Sequence, residues 1–353
     1  MMTNLVYKPF SMISLDDPFF DSLKEDYIEF PSWFNKKIIA GENAYVFENE
    51  AGHLDGFLYV KIESEALSDV IPVQPASIRL KVGTMKINPH GTKLGERFIK
   101  KIIDHALHEK ISEIYLTVFE KHKGLINILS RYGFEAKASK TTQNGTELVF
   151  FKNLDAPYVD ILPSYPNIML TGSNVYILSL LPNWHTRLLP DSILKNESAD
   201  IVQDVSHTNS IHKVYLASMS GMSVLKRGDI ILIYRTSDQE GRAYYRSVVT
   251  SVCVVEEYKD IHDFQSESDF IAYCQPFSIF EPSELKAFWA RKKYNHIIKF
   301  SYNMALKKRI TRGELIENIG LSSSAYYGFM PITNSQFLSI LKRAQSDESI
   351  TIY

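Results

Sequence analysis

Ile78-Arg79-Leu80-Lys81-Val82-Gly83-Thr84-Met85-Lys86-Ile87 runs into Asn88-Pro89-His90-Gly91-Thr92-Lys93-Leu94-Gly95. The first string reads as a strand and the second as a glycine-containing turn. A helix is expected to open at Glu96. Phe98, Ile99, Ile102, Ile103, Ala106 and Leu107 recur at helical spacing and form its apolar stripe. Arg97, Lys100, Lys101, Asp104 and Glu109 take the other face. A turn that feeds a helix N-terminus presents backbone N–H groups and the positive end of the dipole, so it can hold a phosphate. The turn is neither common nucleotide loop: it has no Gly-x-Gly-x-x-Gly and no Gly-Lys-Ser/Thr. An ordinary structural turn accounts for two glycines as well.

The flanks supply the context. Downstream come a β-rich run, Ile114-Tyr115-Leu116-Thr117-Val118-Phe119, then Glu120-Lys121-His122-Lys123, a short helix over 122–131, and Tyr132-Gly133-Phe134. A hairpin over Phe134–Ser139 and Thr146–Phe151 is expected to turn at Gln143-Asn144-Gly145, since Asn-Gly is a strong hairpin cue. Upstream, residues 17–40 read as helical. Strands Ala44–Glu48 and Leu54–Ile62 flank Asn49-Glu50-Ala51-Gly52. A mixed α/β sheet with helices on both faces accounts for this order.

This order resembles the GNAT N-acetyltransferases over residues 5–152. The strings Lys86-Ile87, Leu94-Gly95-Glu96 and Lys121-His122-x-x-Leu125-Ile126 carry the resemblance. In that family the turn reads Arg/Gln-x-x-Gly-x-Gly/Ala. Here Gly95 fits, His90 stands for the Arg/Gln and Lys93 for the middle glycine. The resemblance implies acetyl-CoA as cosubstrate. Its pyrophosphate would lie on the turn formed by His90, Gly91, Thr92, Lys93, Leu94, Gly95, Glu96 and Arg97. Its pantetheine would pair with the strand end Met85, Lys86 and Ile87.

Acetyl transfer needs an uncharged amine, hence a general base. Glu120 ends the second core strand, and His122 is of the residue type most often used as a general base. Both are candidates, and both also read as solvated loop residues. The tyrosine that serves the family as general acid falls in register at Leu129, with Tyr132 nearby.

The chain has 353 residues, long for one core, so two domains are expected. A net charge of −2 gives no global pull toward nucleic acid or membrane, so any basic surface must be local. Cys253 and Cys274 are the two cysteines, which excludes a disulfide framework and a Cys-rich zinc site. The histidines show no metal-binding spacing, so no metal is expected. The N-terminus has no apolar run of signal-peptide length, and no run spans a membrane. A cytoplasmic, soluble protein is expected, with a homodimer among the assemblies considered.

The division expected is residues 1–154, a linker 155–173 marked by Pro157, Pro163, Pro166 and Gly172, and residues 174–353. The last part reads as short strands, Val175–Leu181, Ile211–Ala217, Asp229–Arg235 and Ala243–Val255, then a helical and mixed tail from Ser283. Lys226-Arg227-Gly228-Asp229 before Ile230–Thr236, and Tyr244–Val252, resemble PUA-like β-barrels of the ASCH and EVE type. The Gly-x-Lys-x-x-Glu-x-Arg string of many ASCH domains is missing. Residues 285–313 contain no acid and carry Arg291, Lys292, Lys293, Lys307, Lys308, Arg309 and Arg312, with Phe288, Trp289, Tyr294, Phe300 and Tyr302 interleaved. That composition suits RNA phosphates and bases, and a solvated helix face over core aromatics reads the same way.

The expectation is an acetyl-CoA-dependent N-acetyltransferase whose PUA-like module selects an RNA, an aminoacyl-tRNA or an RNA-associated substrate, a toxin acting on translation being one version. Two rivals stand beside it. One is a protein or small-molecule acetyltransferase with a scaffolding second domain. The other is a non-catalytic nucleic-acid-binding protein.

Overall fold

The computed structural model describes residues 5–49, 51–156, 160–195, 197, 203–346 and 350–352. Residues 1–4, Glu50 of the expected hairpin turn and 157–159 of the expected linker lie outside them. The chain divides into two compact units, Met1–Tyr158 and Val159–Tyr353.

The first unit runs β1 (Leu5–Pro9), α1 (Asp21–Asp26), α2 (Phe30–Ile39), β2 (Asn43–Glu48), β3 (Leu54–Glu63), β4 (Arg79–Ile87), α3 (Leu94–His108), β5 (Glu113–Phe119), α4 (Lys123–Arg131), β6 (Glu135–Thr142) and β7 (Gly145–Asn153). Its seven strands form one sheet in the order β1-β2-β3-β4-β5-β7-β6. All pairs are antiparallel except β4 with β5. On one face lies α3, whose Phe98, Ile99, Ile102, Ile103 and Ala106 are fully buried. Gly56 of β3 admits it closely: a Cβ there would stand 2.6 Å from Phe98 Cζ. Phe10, Phe20, Phe30, Phe34, Phe57 and Tyr59 pack under α1 and α2.

The expected helix over 17–40 is broken. Pro31 lacks an N–H and its ring would clash with the carbonyl four residues back, so it can stand only in a first helical turn. The chain therefore ends α1 at Asp26 and restarts at Phe30. Residues 27–29 become a corner. The helix expected at Glu96 opens instead at Leu94, because Lys93 takes a left-handed conformation (φ 58°) as its N-cap. The β6–β7 turn is one residue shorter than expected. Thr142 pairs with Gly145, leaving Gln143 and Asn144 at the corner, and Gly145 (φ 120°) opens β7.

The second unit runs α5 (Ile161–Ser164), β8 (Ile168–Met169), β9 (Val175–Leu180), α6 (Pro182–Leu188), α7 (Ser206–Asn209), β10 (His212–Ala217), β11 (Ile230–Arg235), α8 (Ala243–Arg246), β12 (Val248–Asp260), α9 (Glu267–Cys274), α10 (Pro282–Arg291), β13 (His296–Thr311), α11 (Arg312–Glu317), β14 (Phe329–Ile332), α12 (Asn334–Arg343) and β15 (Thr351–Ile352). A six-stranded mixed sheet has the order β10-β13-β12-β11-β9-β14. Bulges between Val249 and Ser251, Val252 and Cys253, and Val255 and Glu257 bend the two long strands β12 and β13.

Three expectations change here. From Asp160 on, the stretch expected as linker is core: Tyr165 and Ile168 are fully buried, and the Tyr165 hydroxyl donates to Tyr302 O at 3.0 Å. Ala243–Arg246 is a helical turn rather than strand. The basic tail is not one face. Arg291 ends α10, while Lys307, Lys308 and Arg309 lie near the far end of β13. From His296 to Lys307 the strand contour is about 35 Å at its usual rise. Phe300 and Tyr302 are buried, and Phe288, Trp289 and Tyr294 are partly buried against the same core.

Candidate active site

The site begins where two strands part. Arg79–Val82 of β4 pair with Glu113–Leu116 of β5, and the pairing then stops. β4 continues along β3 to Ile87, and β5 continues along β7 to Phe119. The register between β3 and β4 slips at the same place: Tyr59 faces Thr84 and Val60 faces Val82, leaving Gly83 as the bulge. A Cβ on Gly83 would stand 2.7 Å from Tyr59 Cδ1, so glycine suits the bulge. A cleft of about 900 Å³ opens there. Gly83–Ile87, Leu116–Val118, the corner of α1 and α2, and the start of α4 line it.

Of the residues expected to hold the cofactor, Met85, Lys86 and Ile87 line the cleft. The Lys86 ammonium turns to Phe19 O and Ser22 Oγ. His90, Gly91, Thr92, Lys93, Leu94, Gly95, Glu96 and Arg97 are not in its wall, but the turn adjoins it: Ile128 lines the cleft, and its Cδ1 is 3.1 Å from where a Gly95 Cβ would lie. His90 Nδ1 is 2.8 Å from Asn88 O, and Thr92 Oγ1 is 2.9 Å from His90 Nε2, so this side chain braces the turn. The Glu96 N–H donates to Lys93 O at 2.9 Å, and its buried carboxylate faces Arg131 at 3.7 Å. Leu94 and Gly95 are the first two residues of α3, whose N–H groups have no intrahelical acceptor.

The two expected bases separate. Glu120 is outside the cleft wall, with 75% of its side chain exposed, and pairs with Lys123 at 2.9 Å. That hydrogen bond holds its carboxyl below the usual range, which weakens it as a base. His122 lines the cleft, and its Nε2 lies 3.4 Å from Asp26 Oδ2. Leu129 and Tyr132 are both fully buried core residues.

A carboxylate that the sequence reading missed lies inside. Glu147, 4% exposed, accepts hydrogen bonds from the Tyr27 hydroxyl at 2.7 Å and from Thr117 Oγ1 at 3.0 Å. Burial and this bond push the Tyr27 phenol upward, so it stays a donor. The signal was available: Glu147, Val149 and Phe151 alternate onto one strand face, and a charge on an otherwise apolar face needs a reason.

In the second unit, Lys307 and Lys308 are exposed, and Lys308 pairs with Glu314 at 2.9 Å. Arg309 donates back to Leu306 O and Ile193 O. Arg312 lies over the Tyr327 ring at 4.5 Å. Lys292 lies over Trp289, and Arg291 and Lys293 are exposed. Among the described residues there is no cluster of side chains suited to a metal, and no helix is long and apolar enough to cross a membrane.

No protein-family model matches the chain, and no curated protein matches it. Solved structures similar to it include both kinds of fold named above. A GNAT family acetyltransferase from Streptococcus agalactiae is 16% identical, covering 38% of this chain and 78% of its own, with a TM-score of 0.29. A GNAT family acetyltransferase from Elizabethkingia anophelis, with acetyl-CoA bound, is 10% identical over 43% of this chain and 99% of its own (TM-score 0.28). The ASCH protein from Zymomonas mobilis is 9% identical over 48% of this chain and 94% of its own (TM-score 0.30). Such distant likenesses assign neither activity nor ligand to this chain.

Proposed function

We propose that the first unit is an acetyl-CoA-dependent N-acetyltransferase. The observation that carries this is the parting of β4 and β5. Among the described residues, the β4 edge beyond Val82 has no strand partner toward β5, so its backbone groups can pair with the amides of a pantetheine arm. The N-terminus of α3 takes a diphosphate through the Leu94 and Gly95 amides, with Lys93 adding positive charge. Acetyl-CoA, when bound, supplies the thioester carbonyl. An attacking amine would form the new N–C bond as the C–S bond breaks and CoA leaves as its thiolate with the bonding pair, and His122 would accept the amine's proton while Asp26 orients the ring. Calorimetric titration of acetyl-CoA into the full chain tests this. Binding heat is expected, and its absence at millimolar ligand overturns the reading.

The second unit is proposed to bind RNA at the C-terminal end of β13. Support comes from Tyr245, 75% exposed, on a helical turn tied to Arg312 by the Arg312 N–H to Ser247 O bond of 2.9 Å. Lys307 and Lys308 precede Arg312 at the same strand end. Anisotropy titrations at low and moderate salt should show affinity that falls with salt. Equal binding by wild type and by a Lys307→Glu, Lys308→Glu, Tyr245→Ala variant refutes the assignment.

A further inference from the structure

The cleft wall away from α3 is electrically divided. Tyr115, Thr117 and Phe119 of β5 share a face with their partners Phe151, Val149 and Glu147 of β7. Lys81 of β4 is the neighbour of Tyr115, and Lys61 of β3 is the neighbour of Lys81, so both lysines stand on this face. Their ammoniums share one carboxylate: Lys61 pairs with Glu63 Oε1, and Lys81 lies 3.6 Å from the same oxygen. Lys81 Nζ also lies 5.5 Å from the centre of the Tyr115 ring. Lys140 of β6 also lines the cleft; it is the register partner of Glu147, and its ammonium is taken up by Asp69 at 2.6 Å. Lys61 and Lys81 therefore share the single carboxylate of Glu63, and this end keeps positive charge. The other lysines along the cleft are tied down near α1 and α4: Lys86 to Phe19 O and Ser22, Lys121 to Asp26, and Lys123 to Glu120.

At the other end, the hydrogen bonds that Glu147 accepts come from neutral hydroxyls, so its negative charge is not neutralised by them. Glu29 adds a second carboxylate there, held by Asn144 Nδ2 at 2.9 Å. Thr117, which bonds Glu147, is two residues along β5 from Tyr115, which sits under Lys81. The two poles are thus about 7 Å apart along the strand. Burial lowers the affinity of Lys81 for its proton, and an anion beside it would restore that affinity.

We infer that the acceptor is a primary amine that also carries an anion, a carboxylate or a phosphate, with the ammonium seated at Glu147 and the anion at Lys61 and Lys81. This rests on the acetyltransferase reading. An alkylamine lacks a partner for the lysine end. A polyamine would place a second cation against it.

The test uses the full chain saturated with CoA, and calorimetry with three amines of matched length: an amino acid, an aminoalkyl phosphate and an alkylamine. At least one of the two anion-bearing amines is expected to bind about tenfold more tightly than the alkylamine, the increment of one charged hydrogen bond. Whichever binds more tightly identifies the anion. Lys61→Met should bring that ratio toward one, and Lys81→Met should do the same. Lys61 is the more exposed of the two, so its variant preserves the test if loss of Lys81 disturbs the fold. Glu147→Gln should weaken all three amines. CoA that binds with no preference for the anion-bearing amines overturns this inference and leaves the acetyltransferase reading standing. Failure of CoA and acetyl-CoA to bind at all overturns both.

Discussion

Gly95→Asp asks where a diphosphate would sit. Position 95 is the second residue of α3, and a Cβ there meets the tip of Ile128 at 3.1 Å. That tip belongs to a flexible, half-buried side chain, so the steric cost falls at the low end of the about 1–3 kcal/mol typical of overpacking. A carboxylate in the first helical turn returns about 0.3–1 kcal/mol through the dipole. The variant should therefore fold with about wild-type stability. Against a diphosphate oxygen about 4 Å away, the added charge costs about 4 kcal/mol at an effective dielectric constant of about 20. That is about a thousandfold in affinity. At acetyl-CoA concentrations of about 100 times Kd, the wild type should gain about 2.7 kcal/mol, several degrees in Tm. The variant, at about a tenth of its own Kd, should show almost no shift. Gly95→Ala makes the same contact without the charge and should keep most of it. Thermal melts with and without ligand read both quantities, and calorimetry gives Kd directly. A Gly95→Asp protein that melts normally and binds acetyl-CoA like wild type would refute diphosphate binding at the α3 N-terminus.

His122→Ala should lower kcat by about 10²–10⁴-fold with little change in acetyl-CoA affinity, whereas Glu120→Gln should stay near wild type; steady-state kinetics showing the reverse would return the base to Glu120. Burial pushes the Lys152 ammonium down to about 7. Below that pH the folded chain must hold a desolvated charge. As pH rises from about 7 toward the ordinary lysine value of about 10.4, the unfolded chain binds more protons and stability increases, by up to about 1.4 kcal/mol per pH unit. Lys152→Met should be more stable than wild type at pH 6 and should lose this slope; parallel stability–pH curves in urea unfolding would contradict the assignment. Gly56→Ala drives a methyl against Phe98 Cζ at 2.6 Å and Phe47 Cβ at 3.2 Å and should cost about 1–3 kcal/mol, seen as a lower urea midpoint. An unchanged midpoint would mean that α3 sits farther from β3 than these distances imply.

What could be read in advance follows the range of the interaction. The α3 stripe was legible because its burial pattern repeats within the helix itself, from Phe98 to Ala106. The start of that helix was misplaced by two residues because a lysine in left-handed conformation, rather than a Ser, Thr or Asp cap, ends the turn. β13 was hidden for a different reason. Its residues are buried on both faces from His296 to Ile298 and again from Phe300 to Met304, so no alternation marks it as a strand. Its basic residues then suggested one charged face where there are two ends.

The cleft has no local signature, since it arises where a parallel pair stops. Gly83 is the single residue in that region whose type betrays it, and only against Tyr59, which comes from another strand. Tyr27 on the corner between α1 and α2, Thr117 on β5 and Glu147 on β7 are far apart in the chain. Their hydrogen bonds form only when Pro31 has broken the first helix and the hairpin has set the register that puts Glu147 opposite Phe119. A buried carboxylate has a desolvation cost that this arrangement must offset. Two hydroxyl donors offset part of it, and an ammonium from a bound amine would offset much more. Glu147→Gln keeps both hydroxyl partners while removing the charge. A rise in stability of the ligand-free Gln variant, together with loss of amine binding, is therefore the paired outcome expected of a carboxylate kept for a ligand rather than for the fold.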